Sequence, residues 1–137
     1  MAAPATAGAS DPASQHRVGD HTLTASLNGA KESPNGDPNG TGKVTVRLRP
    51  AAGTVCATAT WAHIGTPKAA HIHRGRPGAN GDVVVDLTGS VTGGAHCATG
   101  LQHTLIHRIA QHPRRFYFNI HNNAYPAGAI RSSFTSS

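Results

Sequence analysis

Two short stretches of the chain hold residue types that can do chemistry. In Ala69-Ala70-His71-Ile72-His73-Arg74-Gly75, two histidines stand two positions apart. Side chains two apart on a β-strand share a face. His71 and His73 therefore project together, while Ile72 points the other way, into a core. Neutral imidazole nitrogens suit copper and zinc, so a His-x-His strand is half of a metal site. The second stretch is Phe116-Tyr117-Phe118-Asn119-Ile120-His121. Its apolar residues alternate onto one face, leaving Tyr117, Asn119 and His121 on the other. If the two strands are neighbours, His71, His73 and His121 make one polar constellation. His63, at the end of an earlier strand, is a candidate fourth ligand. Tyr117 and Asn119 are candidates for the surrounding groups that fix imidazole tautomers. The competing reading is a plain solvated strand face, because so short a motif is a hypothesis until its structural context is known.

The elements that must position these residues follow from periodicity. Thr22–Leu27 alternates with Leu23, Ala25 and Leu27 inward, which predicts a first strand. Residues 28–42 are rich in Gly, Pro and Asn and read as a long turn-rich loop. Lys43–Arg49 alternates again, with Val44, Val46 and Leu48 inward. After a turn at 50–53, Thr54–Ile64 completes a hairpin, its inward set being Val55, Ala57, Ala59 and Trp61. The segment Arg74–Asp82 is a strong turn. Val83–Leu87 has little polarity on either face and is expected to be a central strand. Thr99 and Gln102 resemble a capping box, and Leu101, Leu105 and Ile109 recur at helical spacing, which predicts a short helix over about 100–110, stopped by Pro113. His103 and His107 stand four apart on this helix and are read as solvated. Arg115–His121 and Ala129–Phe134 are the last strands. The expectation is an all-β fold: an antiparallel Greek-key-like β-sandwich or small barrel of about seven to eight strands with one short helix.

The 137 residues suit one domain over 21–137, preceded by a disordered tail over 1–20 rich in Ala, Pro, Gly and Ser. Net charge is +6 with histidines neutral, but the longest basic run is Arg114-Arg115 and no recognition helix stands out, so nucleic acid is not expected as a partner. No apolar run approaches the length of a membrane span. Cys56 and Cys97 match neither a zinc-ribbon nor a Cys-x-x-Cys spacing. One disulfide joining distant parts of the chain is their expected use, which implies an oxidising compartment. The tract Ala2-Ala3-Pro4-Ala5-Thr6-Ala7 is similar to the small-residue surroundings of a signal cleavage site. A secreted protein is the resulting expectation.

Three runs in order resemble the CHRD domain, the chordin-type domain that also stands alone in secreted bacterial proteins. They are Leu23-x-Ala25-x-Leu27-x-Gly29-Ala30-x-Glu32-x-Pro34, then Ala70-His71-Ile72-His73-Arg74-Gly75 with Gly78, Gly81 and Val83–Thr88, then Tyr117–His121 with Tyr125-Pro126, Gly128 and Ile130-Arg131. The resemblance covers about residues 21–134. It implies a secreted β-sandwich-like domain and little chemistry, but its motifs include all three histidines. Ala129 and Ser132 depart from it, standing where the family often has Glu and Gly.

The reading favoured by these residues is a secreted protein binding one metal ion, copper before zinc, through His71, His73 and His121. A small anion or small-molecule ligand would bind at the metal, with Arg74 or Arg131 attracting it. The alternatives are a metal-free module binding a cell-surface polymer or protein, and a copper-dependent enzyme of superoxide dismutase type. Hydrolytic chemistry is not expected: there is no Gly-x-Ser-x-Gly elbow, and Glu32 is the single glutamate.

Overall fold

The computed structural model describes residues 19–136. The tail expected over 1–20 lies outside the described residues, apart from Gly19 and Asp20. Nine strands form one antiparallel sheet that curls into a nearly closed barrel, so the barrel is the form realised of the two architectures expected. They are β1 (His21–Asn28), β2 (Thr41–Arg49), β3 (Thr54–Ala62), β4 (Ala69–Arg74), β5 (Val83–Asp86), β6 (Cys97–Ala98), β7 (Phe116–His121), β8 (Ile130–Ser133) and β9 (Thr135–Ser136). Among the described residues two α-helices interrupt them, a single turn α1 (Gly89–Thr92) and α2 (His103–Gln111). The strand order is β5-β4-β7-β8-β1-β2-β3-β6, with β9 pairing beside β1.

Alternation explains the interior. In β1 and β2, Leu23 pairs with Val46 and Ala25 with Val44, all buried. Across the β2–β3 hairpin, Val46 meets Ala57 and Leu48 meets Val55. Phe116, Phe118 and Ile120 of β7 fill the opposite side with Ala70 and Ile72 of β4. Ile106 and Ile109 of α2 close one end. Cys56 and Cys97 are register partners on β3 and β6 and form the disulfide.

Three expectations are corrected. β5 is not central: it pairs with β4 alone and ends the strand order, with Val83 exposed. A run of valines satisfies strand propensity at an edge as well as at a centre, so only pairing decides. The capping box does not form, because α2 starts at His103 behind Gln102, which makes no side-chain cap bond. The buried pair on α2 is accordingly Ile106 and Ile109, with Leu101 and Leu105 only half-buried. The last strand is split at Phe134, which turns fully inward and separates β8 from β9.

Candidate metal centre

Register places the polar groups. Between β4 and β7, His71 lies opposite Asn119, His73 opposite Tyr117 and Ala69 opposite His121. His121 is thus diagonal to His71, a separation that long side chains bridge. On the outer side of β4, His71 lies opposite Asp86 of β5. On the far side of β7, Asn119 lies opposite Arg131 of β8. One row, Asp86–His71–Asn119–Arg131, therefore crosses four strands on the face away from the core.

That face is not solvated as a bare sheet would be. His73 is 8% exposed, Tyr117 2%, Asn119 1% and Arg131 2%. The cover is the glycine-rich turn between β4 and β5. Its Ala79 carbonyl and Asn80 Oδ1 accept from Arg131 Nη1 and Nη2 at 2.7 and 2.6 Å, and its Gly81 amide donates to the Tyr117 hydroxyl at 3.2 Å. Gly81 is required here: a Cβ would overlap the Arg74 carbonyl oxygen, so the turn comes this close only without a side chain.

The three histidines each present one ring nitrogen to a common space, all within 4.8 Å of one another. His71 Nδ1 is 3.2 Å from His121 Nε2. The remaining nitrogens face acceptors. His73 Nδ1 donates to the Gly81 carbonyl at 2.9 Å, and His121 Nδ1 lies 2.9 Å from the Pro126 carbonyl. His71 Nε2 sits 3.9 Å from Asp86 Oδ1. At His73 and His121 such acceptors set the tautomer, placing the proton outward and a lone pair inward, whereas Asp86 at 3.9 Å is beyond hydrogen-bond reach of His71. His73 Nε2, the lone-pair end, is buried with no hydrogen-bond partner among the described residues. Asp86 is held in place by Thr88, whose backbone amide and hydroxyl both donate to Oδ1 at 3.0 and 2.7 Å. Those bonds keep the Asp86 carboxyl below its usual pKa.

Electrostatics favour the neutral form of His71 and His121. Burial lowers the His71 pKa, and the charges that His121 and His73 would acquire lower it further, against a small opposing pull from Asp86. Burial likewise lowers His121, outweighing the Pro126 carbonyl, with His73 and Arg131 adding to the decrease. A neutral imidazole is the form that ligates.

Of the orienting groups expected, Tyr117 stacks flat on His73 at 4.7 Å between centroids, and Asn119 Oδ1 is 3.0 Å from His121 Nε2. His63 is not brought to the cluster. It lies just past β3, exposed, with a left-handed backbone (φ 65°) that breaks the strand's alternation. Arg131 is not free to attract a small anion. Its guanidinium lies 4.0 Å over the Tyr117 ring, and its Nε is paired with Glu32 Oε1 at 2.9 Å. Arg74 is exposed at the end of β4. His103 and His107 are exposed on α2.

Sequence reasoning missed Glu32, buried to 3% exposure against Arg131. Its carboxyl pKa is raised by burial, partly offset by Arg131 and by the Asn119 amide. Gly128, with φ 136°, leaves the space that this carboxylate fills. The one available signal was that the single glutamate of the chain falls inside a resembling motif. The carbonyls of Gly81 and Pro126 left no signal, since any residue has one.

Searches of curated proteins and of solved structures return no match. No helix among the described residues is long and apolar enough to cross a membrane. The family model named CHRD domain matches residues 23–134. That span holds all of the barrel but the start of β1 and β9, with all three clustered histidines, Glu32 and Arg131, and the chain belongs to the CHRD domain family.

Proposed function

We propose that this CHRD domain binds one metal ion, copper in preference to zinc, through His71, His73 and His121. The observation behind this reading is the convergence of three imidazole nitrogens within 4.8 Å, with the outward nitrogens turned to Gly81, Pro126 and Asp86. Two nitrogens bound to one ion at about 2.0–2.1 Å lie roughly 2.9–3.4 Å apart for bond angles of 90–109°. The 3.2 Å between His71 Nδ1 and His121 Nε2 falls in that range. Three imidazoles without a thiolate suit copper(II) or zinc. His71 keeps 21% of its side chain exposed, so the site is reached from solvent through that ring. The Cys56–Cys97 disulfide supports a secreted setting.

The test is elemental analysis after copper or zinc loading and desalting, with the double variant His71→Ala/His73→Ala alongside. One ion per chain in the parent and none in the variant is the expected result. No retained metal in either rejects the reading.

A second reading, an interaction module, is favoured by a cavity that also borders Glu32 and Arg131. It has a volume of about 570 Å³ and is bordered by Lys31, Arg114, Pro77 and Phe134. A volume of this size suits a small ligand or a polymer repeat. Binding of an anionic polymer that is insensitive to chelator, and lost on Lys31→Ala/Arg114→Ala substitution, would favour it.

A further inference from the structure

We propose that Asn119 supplies a fourth ligand, its amide oxygen, making a three-nitrogen, one-oxygen site for a divalent cation. This rests on the metal-binding reading above and specifies its donor set.

The argument starts from His121. A neutral imidazole has one proton and one lone pair. His121 faces carbonyl oxygens at both nitrogens: Pro126 O is 2.9 Å from Nδ1, and Asn119 Oδ1 is 3.0 Å from Nε2. One proton cannot serve both. With the proton on Nδ1, the Nε2 lone pair confronts the Asn119 oxygen and also lies 3.2 Å from His71 Nδ1. Turning the amide over would give Nε2 a donor, but it would direct the Asn119 oxygen at the Glu32 carboxylate. With its oxygen on His121, the amide turns its nitrogen toward Glu32, whose Oε2 is buried and has no other partner among the described residues. Glu32 in turn cannot move away, because Arg131 binds it at 2.9 Å and both side chains are at least nine-tenths buried. The buried Arg131–Glu32 pair thus favours the amide with its nitrogen toward the carboxylate and its oxygen inward.

With His71 Nδ1 donating to His121 Nε2, Asn119 Oδ1 and the unpartnered, buried His73 Nε2 still lack a donor among the described residues. A cation satisfies them together. The separation of 3.0 Å between Oδ1 and Nε2 is that of two neighbouring ligands at about 2.0–2.2 Å from one ion. An oxygen donor also favours copper(II) or zinc(II) over copper(I), which prefers soft ligands.

The experiment compares the full chain with Asn119→Ala and Asn119→Asp. Each is loaded with copper(II) for electron paramagnetic resonance, and each is titrated with zinc against a chromophoric chelator. Circular dichroism of the metal-free proteins checks folding. The expected result for Asn119→Ala is a changed copper hyperfine pattern and a zinc affinity at least about tenfold lower. Asn119→Asp, which retains an oxygen, should hold zinc within about threefold of the parent, with a shifted copper spectrum from the added charge. A copper spectrum of Asn119→Ala superimposable on the parent's overturns the inference while leaving the three-histidine reading intact. If Asn119→Ala does not fold, an unshifted copper spectrum for Asn119→Asp overturns it equally. A parent chain that takes up neither ion rejects both.

Discussion

Replacing Arg131 with methionine should be the most damaging single change near the site, and its size follows from what the guanidinium holds. Arg131 pairs with Glu32 at 2.9 Å, and both side chains are almost wholly buried. Two further bonds, at 2.7 and 2.6 Å, tie down the turn that covers His73. Methionine matches the length but strands a carboxylate at 3% exposure. Breaking a buried pair in this way costs about 3–5 kcal/mol, about a fifth or more of the stability of a typical domain. Urea unfolding at pH 7 measures it. Replacing both partners, as Glu32→Gln/Arg131→Met, removes the stranded charge and should recover most of the loss, giving a coupling of about 2 kcal/mol or more. The pH dependence has a definite sign. Burial already raises the Glu32 pKa against the pull of Arg131, and without Arg131 it rises further. The folded variant then binds a proton more tightly than the unfolded chain, whose glutamate titrates near 4.5. Stability of Arg131→Met relative to the parent should therefore improve as pH falls from neutrality toward 4.5. A loss below about 1 kcal/mol at pH 7, or two single losses that simply add, would refute the reasoning.

The lowered pKa values of His71 and His121 predict acid sensitivity. Their contribution is complete above the unfolded value of 6.5 and is lost as pH falls through the depressed folded values, because the unfolded chain takes up protons that the fold refuses. Melting of the metal-free protein between pH 8 and 5 should show this slope, and His71→Asn/His121→Asn should flatten it. Ring titrations by NMR at or above 6.5 would contradict the burial argument. Reduction of the Cys56–Cys97 bond, which spans 41 residues, should cost about 3–4 kcal/mol. A melting temperature unchanged in Cys56→Ser/Cys97→Ser would refute this loop-closure argument.

The alternation of Leu23-Ala25-Leu27, Val44-Val46-Leu48 and Phe116-Phe118-Ile120 was enough to foresee the strands and their inward faces, because side-chain direction in a strand is a local property with a period of two. The same parity put His71 with His73, and Tyr117 with Asn119 and His121. Strand order is not local. Nothing within Val83–Leu87 distinguishes an edge from a centre, and only pairing made β5 the edge that brings Asp86 beside His71. Nor did local pattern reveal that the polar face would be covered. That cover depends on the Gly75–Asp82 turn folding back onto Arg131, and on Glu32 arriving from a loop 99 residues earlier in the chain. His63 shared the parity of its strand but left it at a left-handed residue just beyond β3. Residue types and period were legible in the sequence. Register, cover and the carbonyls that orient each imidazole belong to long-range contacts, whose partners no short window of sequence contains.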